Sequence, residues 1–202
     1  MWKCSNCQHL EMSDGKPELC PICGATADKF STYKAPNIKG SKTLKNLQDG
    51  FVAESKAHMR NLAFALKAEE EGYTQMAKLF RAIAESEGVH AFHHLEILDS
   101  IANTQENLQA AFERENLAKQ AYQKFIRDAE EEGDTRAAMT FSYHRDVERE
   151  HATLYEKALQ HMMGAEDSKY YVCSVCGYVS DGILPDQCPI CGALSDAFRQ
   201  VS

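Results

Sequence analysis

The middle of the chain carries apolar residues at three- and four-residue intervals, the spacing that gathers side chains on one face of an α-helix. Four such seams can be followed. The first runs Leu44, Leu47, Phe51, Glu54, His58, Asn61, Ala65, and the second Phe80, Ile83, Glu87, His90, His94, Ile97, Ile101. The third runs Leu108, Ala111, Glu115, Ala118, Tyr122, Phe125, Ala129, and the fourth Ala137, Phe141, His144, Glu148, His151, Tyr155, Ala158, Met162. Gly72, Gly133 and Gly164 each follow a helical run, as a terminating glycine does, and Thr43, Thr74, Thr104 and Asp134 stand where N-caps are expected. Four long helices are predicted. Each seam is broken near its middle by a carboxylate: Glu54, Glu87, Glu115 and Glu148. One such break is explained by a shifted seam or a buried ion pair. A carboxylate out of water costs several kcal/mol unless it is paired or bound to metal, so four breaks at a similar level point to one shared site.

The ends of the chain have a different pattern, and they repeat each other. Cys20–Phe30 matches Cys188–Phe198 at eight of eleven positions, and Trp2-Lys3-Cys4-Ser5-Asn6-Cys7 echoes Tyr171-Val172-Cys173-Ser174-Val175-Cys176. Linkers are expected near Tyr33–Ser41, with Pro36 and Gly40, and near Gly164–Ser168. Three segments result: a small module at 1–35, a helical domain at 41–164 and a second small module at 168–202.

All eight cysteines lie in these end modules, in four C-x-x-C pairs. A disulfide scaffold scatters its cysteines, whereas thiolates kept for metal in a reducing compartment pair in this way. Cys4, Cys7, Cys20 and Cys23 form one tetrahedral thiolate set, and Cys173, Cys176, Cys188 and Cys191 the other. Such a set takes redox-active iron or structural zinc, and spacing alone does not choose. The net charge of −8 argues against a nucleic-acid surface. No apolar run reaches the roughly 18–20 residues of a membrane span. The start, Met1-Trp2-Lys3-Cys4, lacks the basic-then-apolar pattern of an export signal, and a cytoplasmic protein is expected.

The helical domain adds its own metal signature. Glu87-Gly88-Val89-His90 and Glu148-Arg149-Glu150-His151 are both E-x-x-H, which places a carboxylate and an imidazole on one side of a helix. With Glu54 and Glu115 from the other two helices, the set is the carboxylate-bridged di-metal pattern of ferritin-like bundles. Hard oxygen donors with one imidazole per metal suit iron or manganese, and four carboxylates balance two divalent ions. The predicted fold class is therefore mainly α, a ferritin-like four-helix bundle flanked by two small Cys4 metal knuckles. His58, His94 and His144 lie one turn from these residues; they read either as hydrogen-bonding partners of the ligands or as ordinary polar contacts of a crowded core.

Nearly the whole chain resembles the rubrerythrins, on Ala53-Glu54-Ser55-Lys56-Ala57-His58-Met59-Arg60, Ile83–Ala91, Thr104–Leu108 and Val147–Tyr155. The C-P-x-C-G runs followed by an aromatic residue resemble rubredoxin. The resemblance implies a non-haem di-iron peroxidase that reduces hydrogen peroxide to water. Glu54, Glu87, His90, Glu115, Glu148 and His151 would be its catalytic metal ligands. Iron in the Cys4 modules would relay electrons from an external NAD(P)H-linked reductase or a rubredoxin, in a role of protection against oxidative stress. Zinc competes for the Cys4 sites, above all the N-terminal one, where Gln8 follows Cys7 at a position that favours glycine and Gly177 follows Cys176.

The third helix departs from the family. Where the family has a second glutamate three positions after the first, this chain has Ala118, and Glu115 to Tyr122 is one residue shorter than the family's spacing. A plain α-helix is expected where the family's is bulged. In the family that extra glutamate exchanges with the helix-2 histidine as a ligand; here His90 is expected to stay bound. The family's tyrosine on the first helix is Asn61. These changes lean towards bacterioferritin-like chemistry, so a ferroxidase or oxygen-reducing iron-handling protein is the alternative. A zinc-ribbon interaction protein with a helical spacer is a third reading. Little chain is left between the second and third helices, which predicts a homodimer with helices exchanged at that point, unless Asp99–Ala110 forms an extended crossover.

Overall fold

The computed structural model describes residues 1–202 except 12, 35–36, 162–167 and 202. Its strands are β1 (Trp2–Cys4), β2 (Leu10–Glu11), β3 (Phe30–Thr32), β4 (Tyr170–Cys173), β5 (Val179–Asp181) and β6 (Phe198–Gln200). Its helices are α1 (Lys42–Glu70), α2 (Thr74–Ile97), α3 (Thr104–Glu131) and α4 (Thr135–His161). The chain divides into two compact units, Met1–Leu98 and Asp99–Ser202. Each holds one helical hairpin, α1 with α2 in the first and α3 with α4 in the second, and one three-stranded knuckle.

The helix ends follow from local chemistry. Ser41 rather than Thr43 caps α1, its Oγ accepting from Leu44 N–H at 3.1 Å. Asn103 rather than Thr104 caps α3; its Oδ1 accepts from Glu106 N–H at 3.0 Å, and its Nδ2 donates to the Glu106 carboxylate at 2.7 Å. Thr74 is the first residue of α2, behind Tyr73, which makes no side-chain cap. In each case the cap must precede the first helical residue to reach the N–H groups a turn ahead, and the threonines sit too far into the helix. Asp134 caps α4 as expected, accepting from Ala137 N–H at 2.9 Å. Gly72 and Gly133 take φ of +82° and +76° and close Schellman turns, with Tyr73 N–H on Ala68 O and Asp134 N–H on Ala129 O. Gly164 and Met162 lie outside the described residues.

The α1, α3 and α4 seams are largely covered within their hairpins, as expected, though Phe125 stays exposed while its neighbour Ile126 is buried. The α2 seam is corrected. Ala77, Ala84 and Ala91 form the buried stripe against α1, whereas Ile83, His90 and Ile97 are exposed, and Ile101 lies beyond the helix. A two-helix layer covers one stripe of each helix, and the small alanines allow the closer approach. Apolar side chains outside that stripe, Ile83, Val89 and Phe92, are left exposed by the hairpin itself. Helix α3 is α-helical throughout, so the expected absence of a bulge holds. It begins at Thr104, so the extended Asp99–Ala110 crossover does not form, and only Leu98–Asn103 joins α2 to α3.

The knuckles reproduce the sequence repeat bond for bond. Strand order is β2-β1-β3 in one and β5-β4-β6 in the other, antiparallel throughout. Ser5 N–H donates to Lys29 O and Ser174 N–H to Ala197 O, both at 2.8 Å.

Candidate metal centres

The four sulfurs of each knuckle converge. Cys4 and Cys23 Sγ are 3.8 Å apart and Cys7 and Cys20 3.5 Å; Cys173 and Cys191 are 3.8 Å apart and Cys176 and Cys188 3.6 Å. A tetrahedral metal with sulfur bonds of about 2.3 Å requires edges of about 3.8 Å. All eight cysteines are free thiols, and each set of four could hold one ion. The Asn6 amide and then the Ala25 N–H draw the Cys23 thiol down to about 6, while burial pushes Cys176 well up. Turns after the cysteines aim backbone N–H groups at sulfur and need positive φ, which Gly177 supplies at +86° and Gln8 at +67°. The disfavoured conformation expected for Gln8 is present.

The two knuckles differ in their surroundings. Among the described residues, the N-terminal core, Cys4, Cys20 and Phe30 with Trp2, Cys7 and Ala25 against it, is drawn from the knuckle alone. The C-terminal core includes Val147 of α4, 3% exposed, together with Cys173, Cys176 and Cys188, and Tyr143 packs on it. Val147 and Tyr143 lie off the α4 seam, so periodicity gives no sign that a knuckle covers them.

In the hairpins, the six expected residues form two triplets. Glu54, Glu87 and His90 offer ligand atoms within 4.8 Å of one another, and so do Glu115, Glu148 and His151. In each E-x-x-H pair the histidine Nδ1 lies 3.0 Å from the glutamate Oε2, as one helical turn dictates. His151 Nδ1 also lies 3.9 Å from Glu115 Oε1. Burial, and then the neighbouring Glu148, raise the Glu115 carboxyl above its ordinary range. Burial, Glu148 and Glu115 likewise push Tyr122 up, so that phenol keeps its proton. The buried His151 Nε2 has no hydrogen-bond partner among the described residues. A cation among these atoms would relieve the Glu115–Glu148 repulsion and replace the proton shared by each Glu–His pair, so the donor sets fit divalent iron.

The neighbouring histidines each make contacts within their own hairpin. His58 Nδ1 donates to Ala84 O at 2.7 Å, which ties α1 to α2 and uses that nitrogen's proton. His94 packs on Gly50, where a Cβ would come within 2.8 Å of its Nε2. The His144 ring meets Tyr122 edge-on, with centroids 5.5 Å apart.

Paired helical hairpins with Glu and E-x-x-H triplets, carrying thiolate knuckles, define a di-iron carboxylate protein with rubredoxin-like domains. The family model for the rubrerythrin rubredoxin-like domain matches residues 2–31 and 171–199, and the rubrerythrin model matches 45–106. The chain is 36% identical to a rubrerythrin of Porphyromonas gingivalis, over 81% of this chain and 92% of that one. It is 33% identical to rubrerythrin-2 of Clostridium acetobutylicum, over 81% and 98%. It is 32% identical to nigerythrin of Nitratidesulfovibrio vulgaris, over 85% and 93%. The chain belongs to the rubrerythrin family. Its fold class is accordingly mainly α and ferritin-like with two rubredoxin-like knuckles, and its metal groups are a carboxylate–histidine di-iron set and two Cys4 sites.

Proposed function

We propose that this protein is a peroxidase that reduces hydrogen peroxide to water, H2O2 + 2e⁻ + 2H⁺ → 2H2O. The observation that carries this reading is the seat of the C-terminal knuckle. Val147 lies in one core with Cys173, Cys176 and Cys188, and the next residue, Glu148, belongs to a carboxylate triplet. This adjacency supports a short route for electrons from the C-terminal centre to the carboxylate site. Glu54, Glu87, His90, Glu115, Glu148 and His151 hold the iron pair, which when bound supplies the redox chemistry. Tyr122 keeps its proton beside Glu115 and Glu148 and would offer the peroxide substrate a hydrogen-bond donor. Electrons enter from an external reductase linked to NAD(P)H, or from a rubredoxin, in a reducing cytoplasm that suits eight free thiols.

The working unit we propose is a homodimer that exchanges hairpins, with segments 1–35, 41–164 and 168–202 as its domains. Helices 2 and 3 of a ferritin-like site run parallel, so a connection within one chain must return the length of α2, 24 residues or about 36 Å. Leu98–Asn103 spans at most about 22 Å. The exposed apolar side chains of α2, among them Ile83 and Ile97, give a second chain a surface to bury.

Mixing the diferrous protein rapidly with peroxide or with dioxygen tests the activity: oxidation by peroxide is expected to be much the faster. Dioxygen oxidising it as fast would favour the ferroxidase reading, for which Ala118, in place of a further carboxylate, is the specific support.

A further inference from the structure

The two knuckles share their backbone bonds, so a difference between their metal centres must come from side chains and surroundings. Asn6, between Cys4 and Cys7, donates its amide N–H to Cys23 Sγ at 3.3 Å. Its counterpart in the C-terminal repeat is Val175, which has no donor and projects into solvent. Exposure differs in the same sense. Cys23 is exposed and Cys7 half-buried, whereas Cys191 is half-buried and Cys176 is buried in the core that includes Val147.

Both differences act on one equilibrium. When Fe(III) held by four thiolates takes an electron and becomes Fe(II), the net charge of the centre goes from −1 to −2 by simple count. A donor aimed at sulfur, or water around an exposed sulfur, stabilises the more negative state more strongly; apolar burial does the opposite. We propose that the N-terminal centre has the higher reduction potential of the two, with Asn6 as the residue that sets the gap. Electrons supplied singly by an external reductant then collect first on the N-terminal iron. The C-terminal centre, seated on α4, is the lower-potential one and passes its electron on more readily. The proposal rests on iron in both Cys4 sites and not on which oxidant the carboxylate site uses.

Spectroelectrochemical titration of the full-length, iron-loaded protein with one-electron mediators tests it, following the thiolate-to-iron absorption. Two waves are expected, and the higher should vanish in a Cys4→Ser chain. Asn6→Val should lower the N-terminal wave by about tenfold in the electron-exchange equilibrium constant, which is about 59 mV, and leave the other wave in place. Val175→Asn should raise the C-terminal wave, and because Val175 is exposed this variant decides the matter if Asn6→Val loses its iron. Coincident waves, a higher wave that belongs to the C-terminal module, zinc at the N-terminal cysteines, or variants that titrate like the parent would each overturn the proposal. Loss of peroxide turnover with the two waves intact would sink the functional reading alone.

Discussion

Gly177 meets Val147: a Cβ added to Gly177 would stand 4.0 Å from Val147 Cγ1. The turn that cradles the Cys176 sulfur is thus also the surface that touches α4, one residue before Glu148. Val147→Ala removes two buried methyl groups and should destabilise the second unit by about 1–2 kcal/mol. It should also slow reoxidation of the C-terminal iron when the reduced protein is mixed with peroxide. Unchanged single-turnover kinetics in a correctly folded variant would show that electrons bypass this contact.

Gln8 occupies a left-handed conformation that glycine adopts without steric cost. Gln8→Gly should therefore strengthen the N-terminal knuckle by about 0.5–1 kcal/mol, the steric relief being partly offset by a more flexible unfolded chain. Slower metal loss to a chelator is the expected readout, and faster loss would show that the Gln8 side-chain bond to Ser5 O matters more.

The raised Glu115 carboxyl makes the metal-free protein sensitive to pH. The folded state binds the Glu115 proton more tightly than the unfolded state, so this group's contribution to stability is greatest in acid. That contribution is lost as pH rises from the ordinary value of 4.5 through the folded-state value. The melting temperature of the metal-free protein should fall over that window, and Glu115→Gln should flatten the profile. Ferrous iron should reverse the trend, since metal binding releases protons. A flat profile in the unsubstituted protein would remove the argument for charge crowding at this triplet.

His90 has Glu87 as its partner at 3.0 Å, and Ala118 offers no carboxylate on α3 to compete with it. Crystal structures of the oxidised and reduced protein should therefore show the same ligands and the same iron position on α2. An iron shift accompanied by loss of His90 would mean that another side chain, such as Glu113, takes the missing role.

Hairpin exchange predicts complementation. Glu54→Ala and Glu148→Ala chains are each expected to be inactive alone. If hairpins are exchanged, a heterodimer refolded from the two gathers both lesions in one site and leaves the other site whole, so activity should return. A verified heterodimer that stays inactive would assign each site to a single chain.

The sequence by itself determined the four helices, the terminating turns at Gly72 and Gly133, the duplicated knuckles and all fourteen metal-ligand candidates. These features rest on short-range rules, since helical periodicity, C-x-x-C spacing and E-x-x-H spacing are set within a turn or two. Capping was legible only to within a residue or two, because Ser41 and Asn103 compete with nearby threonines for the same N–H groups. Which α2 stripe is buried, alanine or isoleucine, was decided by packing, since a helix with two apolar stripes can offer either to its partner. Tertiary structure alone revealed Val147 beneath one cysteine cluster and Asn6 on the sulfur of the other. Both are contacts between residues far apart in the chain, and neither leaves a periodic trace. The repeated knuckles already differ in sequence at Gln8 and Gly177; what each one touches was decided by packing.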